Sequence, residues 1–412
     1  MAKIRPFRAV RPANGLESEI ASLPYDVYNR KEAKLLVSKN PKTFLKIDRA
    51  ESQFDDSVST YDERVYKKAR EMYVDMLDRK EFVKDEKPCF YLYEQVMDGR
   101  SQTGLVCAAS VLDYQNNVIK KHENTRADKE LDRINHVNAV DAQTGPIFLS
   151  YRKNEALNDL FKRIKEEKPY TDFVGPQDVV QRCWIIDKDE DIEFIIKTFD
   201  EIDSLYIADG HHRCASAAKV SLMRRENAES VDEDAEYNFF LSVIFSDSDL
   251  MIMDYNRVIK NLNGYSKEEF IKAVSEKFEV NKRELNEDKP SKKGDIFMIF
   301  KDEEYVISLK KEYLSDDPIK TLDVSVLQDY VLMPILGIED PKTDNRIDFV
   351  GGIRGVKELI KRNNEDGVVC FAMYPTSMKE LFNVADAGLL MPPKSTWFEP
   401  KLLSGLFIHE LS

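Results

Sequence analysis

Residues 205–219 read Leu-Tyr-Ile-Ala-Asp-Gly-His-His-Arg-Cys-Ala-Ser-Ala-Ala-Lys, and this order decides how the rest of the chain is read. Leu205 to Ala208 is a short apolar run of strand character. Asp209-Gly210 is a turn, and the alanine-rich stretch after it has high helix propensity. His211, His212 and Arg213 fall where that helix begins. A helix start carries N–H groups with no intrahelical acceptor and the positive end of the macrodipole. Gly210 lets the backbone bend and approach a ligand closely. Strand, glycine turn and basic helix start together predict a phosphate site. Asp209 is placed to orient a histidine or to hold a metal ion. The plainer alternative leaves Asp209 as an N-cap and the histidines as solvated polar residues.

A second cluster runs Lys120-Lys121-His122-Glu123-Asn124-Thr125-Arg126, with Asp132-Arg133 and His136 beyond it. Such a mixture supplies a general base, Glu123 or His122, and phosphate-binding cations such as Arg126. The alternative is a solvated charged loop. A third cluster is Leu389-Leu390-Met391-Pro392-Pro393-Lys394-Ser395-Thr396-Trp397-Phe398. Two prolines stiffen the loop. Lys394, Ser395 and Thr396 then present an ammonium and two hydroxyls to an anion, unless the loop only packs its aromatics on the core. Arg257 ends a strand and reads as a surface arginine, with reach into a pocket as the alternative. Gly351-Gly352 before a helix is a weak phosphate-turn signal. Walker A, G-x-G-x-x-G, G-x-S-x-G and H-E-x-x-H motifs do not occur, which disfavours the standard P-loop, Rossmann, hydrolase and zincin readings.

Composition narrows the field further. The 412 residues suit two domains, and the net charge of −14 argues against broad nucleic-acid or anionic-membrane binding. A local basic pocket for an anionic small ligand remains compatible with it. The five cysteines form no C-x-x-C pair, so reduced buried thiols in a cytoplasmic protein are expected and zinc is not. The N-terminus lacks an apolar signal core, and no run of about 18 apolar residues predicts a membrane span.

Along the chain, helices are predicted over 30–39, 57–81, 153–168 and 189–200, and strands at Phe44–Ile47 and Val179–Ile186. Asp98-Gly99 between two β-prone runs predicts a hairpin of 90–96 with 103–111. Residues 222–236 read as an exposed helix end and linker, followed by a strand over 239–245. Beyond about 248 the pattern restarts. It has a strand over 251–258, a helix over 266–277 and a hairpin around Asp302. Residues 346–385 then follow a βαβα order typical of α/β layers.

Four motifs together resemble a widespread bacterial family known only as a domain of unknown function. They are Pro24-Tyr25-Asp26-Val27, His122-Glu123-x-Thr125, Ala208-Asp209-Gly210-His211-His212-Arg213 and Pro392-Pro393-Lys394-Ser395-Thr396. The Asp-Gly-His-x-Arg element also resembles that of ParB/sulfiredoxin-like proteins, and among them most the free-serine kinases. The sequence departs from sulfiredoxin, whose turn carries a reactive cysteine where His211 stands. It departs from ParB in lacking a helix-turn-helix and a basic surface.

The resemblance implies an α/β protein of mixed α+β sheets. A ParB/sulfiredoxin-like phosphate-binding domain would span 1–245, and a second α/β lobe over 246–412 would close the site. It implies a small-molecule kinase using Mg²⁺ and ATP, ADP or pyrophosphate, with free L-serine as the leading acceptor. Asp209 and His211 would act in catalysis, Asp209 also as metal ligand; the base has no motif that fixes it, and Glu123 or His122 is the candidate by local chemistry only. Gly210, His212, Arg213, Arg126, Lys394, Ser395 and Thr396 would hold phosphates. The partner would be a small molecule, with neither nucleic acid nor membrane, and homo-oligomerisation is left open. A phosphoester or nucleotide hydrolase and a non-catalytic nucleotide-sensing module are the alternatives.

Overall fold

The Asp98-Gly99 turn joins two long strands, Phe90–Met97 and Arg100–Ser110. Both turn residues have positive φ, 52° and 77°, as a two-residue hairpin turn with the native strand twist requires. A computed structural model describes residues 1–230 and 232–412. The hairpin is the centre of a nine-stranded mixed sheet. On one side of it lie Phe239–Ser246, Ile147–Tyr151, Leu205–Asp209 and Ile119–Lys120 in that order, and on the other Val180–Ile186 and Thr171–Val174. Two pairings are parallel, Leu205–Asp209 with Ile119–Lys120 and Phe239–Ser246 with Ile147–Tyr151. Leu92, Leu105, Leu149, Ile207, Phe240 and Ile244 share one buried cluster on this sheet.

The predicted helices form over Arg30–Lys39, Glu63–Asp78, Glu155–Lys165 and Asp189–Asp200. The first three starts are set by side chains. Asn29 and Glu32 make a reciprocal capping box, and Asp62 and Asn154 cap the next two. Phe44–Ile47, predicted as a strand, instead enters a helical turn, Leu45–Asp48. All four residues of that turn are buried, so the run has no alternating face, and a short apolar run does not distinguish strand from helix. The 222–236 stretch is helical to Asn227; Val231 within it lies outside the described residues.

The chain divides into two compact units, Met1–Leu250 with Pro400–Ser412, and Met251–Glu399. The division falls later than the expected 245/246 boundary, and the C-terminal stretch returns to the first unit. There Ile408 exchanges backbone hydrogen bonds with Val10, and His409–Glu410 pairs with Ala142–Gln143. Leu402, Leu403, Leu406, Phe407 and Ile408 are buried.

The second unit holds a six-stranded antiparallel sheet. Its 347–385 segment keeps the predicted strand–helix–strand–helix order, but Tyr255–Ile259 is inserted between Ile347–Gly351 and Val369–Ala372. The two outer strands are therefore parallel to each other across an antiparallel neighbour, a split βαβ arrangement. The intervening helix, Gly355–Glu365, packs Val356 and Leu359 against Val258, Val350 and Cys370 on one face of the sheet. Among the described residues, no helix is long and apolar enough to cross a membrane. All five cysteines are free and buried.

Candidate functional site

The signature stretch folds as strand, turn and helix: Leu205–Asp209, then Gly210, then His211–Asn227. Leu205 and Ile207 point into the core of the large sheet. Strict alternation would send Asp209 the same way. The pairing register with Ile147–Tyr151 shifts between Ile207 and Asp209, so a bulge at Ala208 breaks the alternation. Asp209 is thereby released to the sheet's end, where its side chain is 36% exposed.

Gly210 then takes φ +90°, the left-handed region that favours glycine. A Cβ here would stand 3.1 Å from Arg213 Nε. No side chain caps the helix, and its first intrahelical bond runs from the Cys214 N–H to the Gly210 carbonyl, at 2.9 Å. The N–H groups of the first turn have no acceptor earlier in the helix. Buried Ala215, Ala217 and Ala218 seat the helix close to the sheet.

Asp209 is held by two donors. Its Oδ1 accepts the Gly210 N–H at 2.8 Å, and its Oδ2 accepts the Lys401 ammonium at 3.0 Å. Burial alone would raise the Asp209 carboxyl. The charges of Lys401 and Arg213, with the two hydrogen bonds, outweigh it and hold the group well below the usual carboxylate range. Asp209 is therefore an anion at neutral pH. The Arg213 guanidinium folds back past Gly210 and donates to the Pro146 carbonyl.

The structure brings the second cluster to this turn through His122. Its ring meets the His211 ring edge-on at 4.5 Å, and its backbone N–H points at His211 Nε2 at 3.5 Å. Both rings are buried. Burial pushes His122 down to about 4, against a backbone hydrogen bond with Ile207 and the charge of Asp209. Burial, reinforced by His122, also holds His211 well below the usual imidazole range. Both are neutral imidazoles at pH 7, so His211 offers its position and backbone rather than a positive charge. Glu123 follows His122 in the same loop and is half-buried. Arg126 is exposed and commits its guanidinium to Asp128 at 2.9 Å.

Arg213 is also one wall of a cavity lined by Tyr25, Asp48, Arg133, His136 and Thr144. Arg133 stacks 4.0 Å over the Tyr25 ring and pairs with Asp132 at 2.8 Å. Asp48 accepts the Thr144 hydroxyl at 2.8 Å. His136 Nε2 lies 3.1 Å from the Ile47 carbonyl, which makes that nitrogen the protonated one. Burial, ahead of the opposing charges of Arg133 and Arg213, pushes the Tyr25 phenol up to about 12. Tyr25, Arg133 and His136 stood inside motifs the sequence displays. Asp48, Thr144 and Lys401 carried no local signal. Lys401 is 192 residues from the aspartate it pairs with, and only the tertiary fold joins them.

Lys394, Ser395 and Thr396 lie in the second unit. Ser395 donates to the Pro392 carbonyl at 2.6 Å, and its own carbonyl accepts the Thr376 hydroxyl at 3.0 Å. Both interactions hold the loop's shape. Among the described residues, no group of three His, Cys, Asp or Glu side chains is arranged to cage a metal ion.

The chain belongs to the family described as Protein of unknown function (DUF1015), whose family model matches residues 4–325. No curated protein matches the sequence significantly. Among solved structures, the chain is similar to a free serine kinase in complex with AMP, at 14% identity and a TM-score of 0.35, over 72% of this chain and 86% of that one. It is similar to a C-terminally truncated SbnI from Staphylococcus aureus at 11% identity and a TM-score of 0.38, over 73% and 85% of the two chains. A conserved hypothetical protein from Pyrococcus furiosus matches at 14% identity and a TM-score of 0.33, over 72% and 90%. These scores are too low to transfer a ligand or an activity.

Proposed function

We propose that this member of the DUF1015 family is a small-molecule kinase whose reacting centre is the turn Asp209-Gly210-His211-His212-Arg213. One observation carries this reading: an ionised carboxylate, an ammonium and a guanidinium converge on an uncapped helix start. Phosphoryl transfer asks mainly for positioning and charge neutralisation, and these groups supply both. The first-turn N–H groups, Arg213 and Lys401 receive the donor phosphates, and Gly210 admits them close to the backbone. Mg²⁺ arrives with the donor, which is ATP, ADP or pyrophosphate. Asp209 would hold that ion through its water shell, and the ion would supply charge neutralisation to the phosphates.

The cavity beyond Arg213 takes the acceptor. Arg133 offers a guanidinium to a carboxylate, and Asp48 offers a carboxylate to an ammonium, which suits a zwitterionic amino acid. The resemblance of the Asp-Gly-His-x-Arg element to free-serine kinases makes L-serine the leading candidate. In the transfer, the acceptor hydroxyl oxygen bonds to the terminal phosphorus and the bond from that phosphorus to its bridging oxygen breaks. The leaving phosphate keeps that electron pair, and the hydroxyl proton goes to the Glu123 carboxylate. His122, buried and weakly basic, positions the loop that carries Glu123.

The test is a transfer screen of purified protein with Mg²⁺. ATP, ADP and pyrophosphate are set against hydroxylated amino acids led by L-serine. A phosphorylated acceptor formed by the unaltered protein supports the kinase. Phosphate release that ignores every acceptor overturns it in favour of a hydrolase. Nucleotide binding with no turnover overturns it in favour of a sensing module.

A further inference from the structure

The sequence reads Arg257 as a surface residue, yet the structure buries it to 3% exposure. It lies in the strand Tyr255–Ile259, between two neighbours of the six-stranded sheet. Val258 faces the helix-covered side of that sheet. Alternation places Tyr255 and Arg257 together on the other side.

The guanidinium makes two hydrogen bonds, one to the Tyr255 carbonyl and one to the Lys394 carbonyl at 3.1 Å. Both acceptors are neutral. Among the described residues no carboxylate pairs with Arg257, and burial moves it down to about 10 with only Tyr255 opposing. A buried cation without a counter-ion is costly, and natural proteins almost always pair such a group. Two neutral acceptors also leave part of its five-donor fork unused.

The carbonyl that Arg257 holds belongs to a second cation. The Lys394 ammonium lies 5.5 Å from the Tyr255 ring centre, over the residue that shares a face with Arg257. Its only partner among the described residues is that ring. Lys394 has φ 61°, a backbone conformation uncommon outside glycine. Pro392, Pro393 and the Ser395 hydrogen bonds hold it there. The Phe349 ring, 5.5 Å from the guanidinium carbon, forms an apolar flank. Two preset cations, neither of them ion-paired among the described residues, are built to receive an anion from outside.

We propose that the second unit carries an oxyanion site of its own, formed by Arg257 and Lys394, and that its ligand is a phosphate dianion. Two cations match the charge of a phosphate or phosphomonoester better than that of a carboxylate. The ligand is inorganic phosphate or the phosphate group of a small phosphomonoester. The site does not depend on the Asp209 turn being a kinase centre.

Trp397 makes the test local, because its ring lies 5.0 Å from Tyr255 while the chain's other tryptophan, Trp184, is in the first unit. In full-length protein carrying Trp184→Phe, Trp397 emission is followed while inorganic phosphate, AMP or acetate is added across the millimolar range. Calorimetry on protein retaining both tryptophans gives a second readout. Saturable binding of phosphate and AMP, much tighter than acetate, is the expected result. Equal affinities assign the site to the bare anion, and tighter AMP binding assigns it to a phosphomonoester. Lys394→Ala, at an exposed side chain, should weaken binding by roughly tenfold or more, the scale of one charge-assisted hydrogen bond. Arg257→Gln should abolish it. The absence of saturable binding, acetate binding as tight as phosphate, or affinity unchanged in both variants overturns the proposal. Loss of transfer in Asp209→Asn with this titration intact would separate the two sites.

Discussion

Asp209 owes its charge to Lys401 and Arg213. Lys401→Met removes the larger opposing charge and lets burial raise the carboxyl. The acid limb of the turnover profile should then move to higher pH, while the alkaline limb stays in place. An unshifted acid limb would show that Asp209 does not titrate in the rate. His122 works in the opposite sense. Its folded value of about 4 lies below the ordinary 6.5, so the unfolded chain binds the extra proton first. The stability it contributes is present above 6.5 and is lost as pH falls toward 4, on the order of 3 kcal/mol in total. Denaturant unfolding across this window should show a shallower slope in His122→Gln than in the unaltered protein. Equal slopes would contradict the assignment.

Two glycines separate backbone strain from crowding at the level of the turn. Gly99 and Gly210 both have positive φ, but a Cβ at Gly99 meets nothing within 4 Å, while one at Gly210 meets Arg213. Gly99→Ala should cost about 1 kcal/mol and leave nucleotide binding intact. Gly210→Ala should cost a similar amount and also displace Arg213, so nucleotide affinity should fall together with stability. Calorimetric binding and denaturant midpoints on the two variants check the pair. Equal binding by both would remove Arg213 from the site.

The same scale shows what was legible in the chain. The Asp98-Gly99 hairpin and the Asp209-Gly210 strand–turn–helix could be read because glycine φ requirements and helix starts are encoded within a few residues. The bulge at Ala208 could not, because it depends on the partner strand. The Leu45–Asp48 turn could not, because full burial erased its periodicity. The Lys401–Asp209 pair and the burial of Arg257 are products of tertiary packing and leave no mark on neighbouring residues.

At the scale of the molecule, the C-terminal stretch belongs to the first unit although it follows the second in sequence. Leu402, Leu403, Leu406, Phe407, Ile408 and Leu411 are all buried there. Burial of these side chains is worth on the order of 10 kcal/mol, comparable with the whole stability of a typical domain. A chain ending at Glu399 should therefore lose the fold of its first unit. Trp184 emission should shift to that of an exposed indole, and the second unit should keep its own unfolding transition. A truncated protein with buried Trp184 would contradict this placement.

The central claim, that the Asp209 turn is a phosphoryl-transfer centre, is tested most directly by one rate. Phosphoserine formation from L-serine, Mg²⁺ and the active donor is compared between the unaltered protein and Asp209→Asn, with both shown to be folded. Transfer by the first is expected, with a loss of roughly a hundredfold or more in the second, the scale at which a charged group at a reacting centre acts. Equal rates, or no transfer from any donor by the unaltered protein, would contradict it.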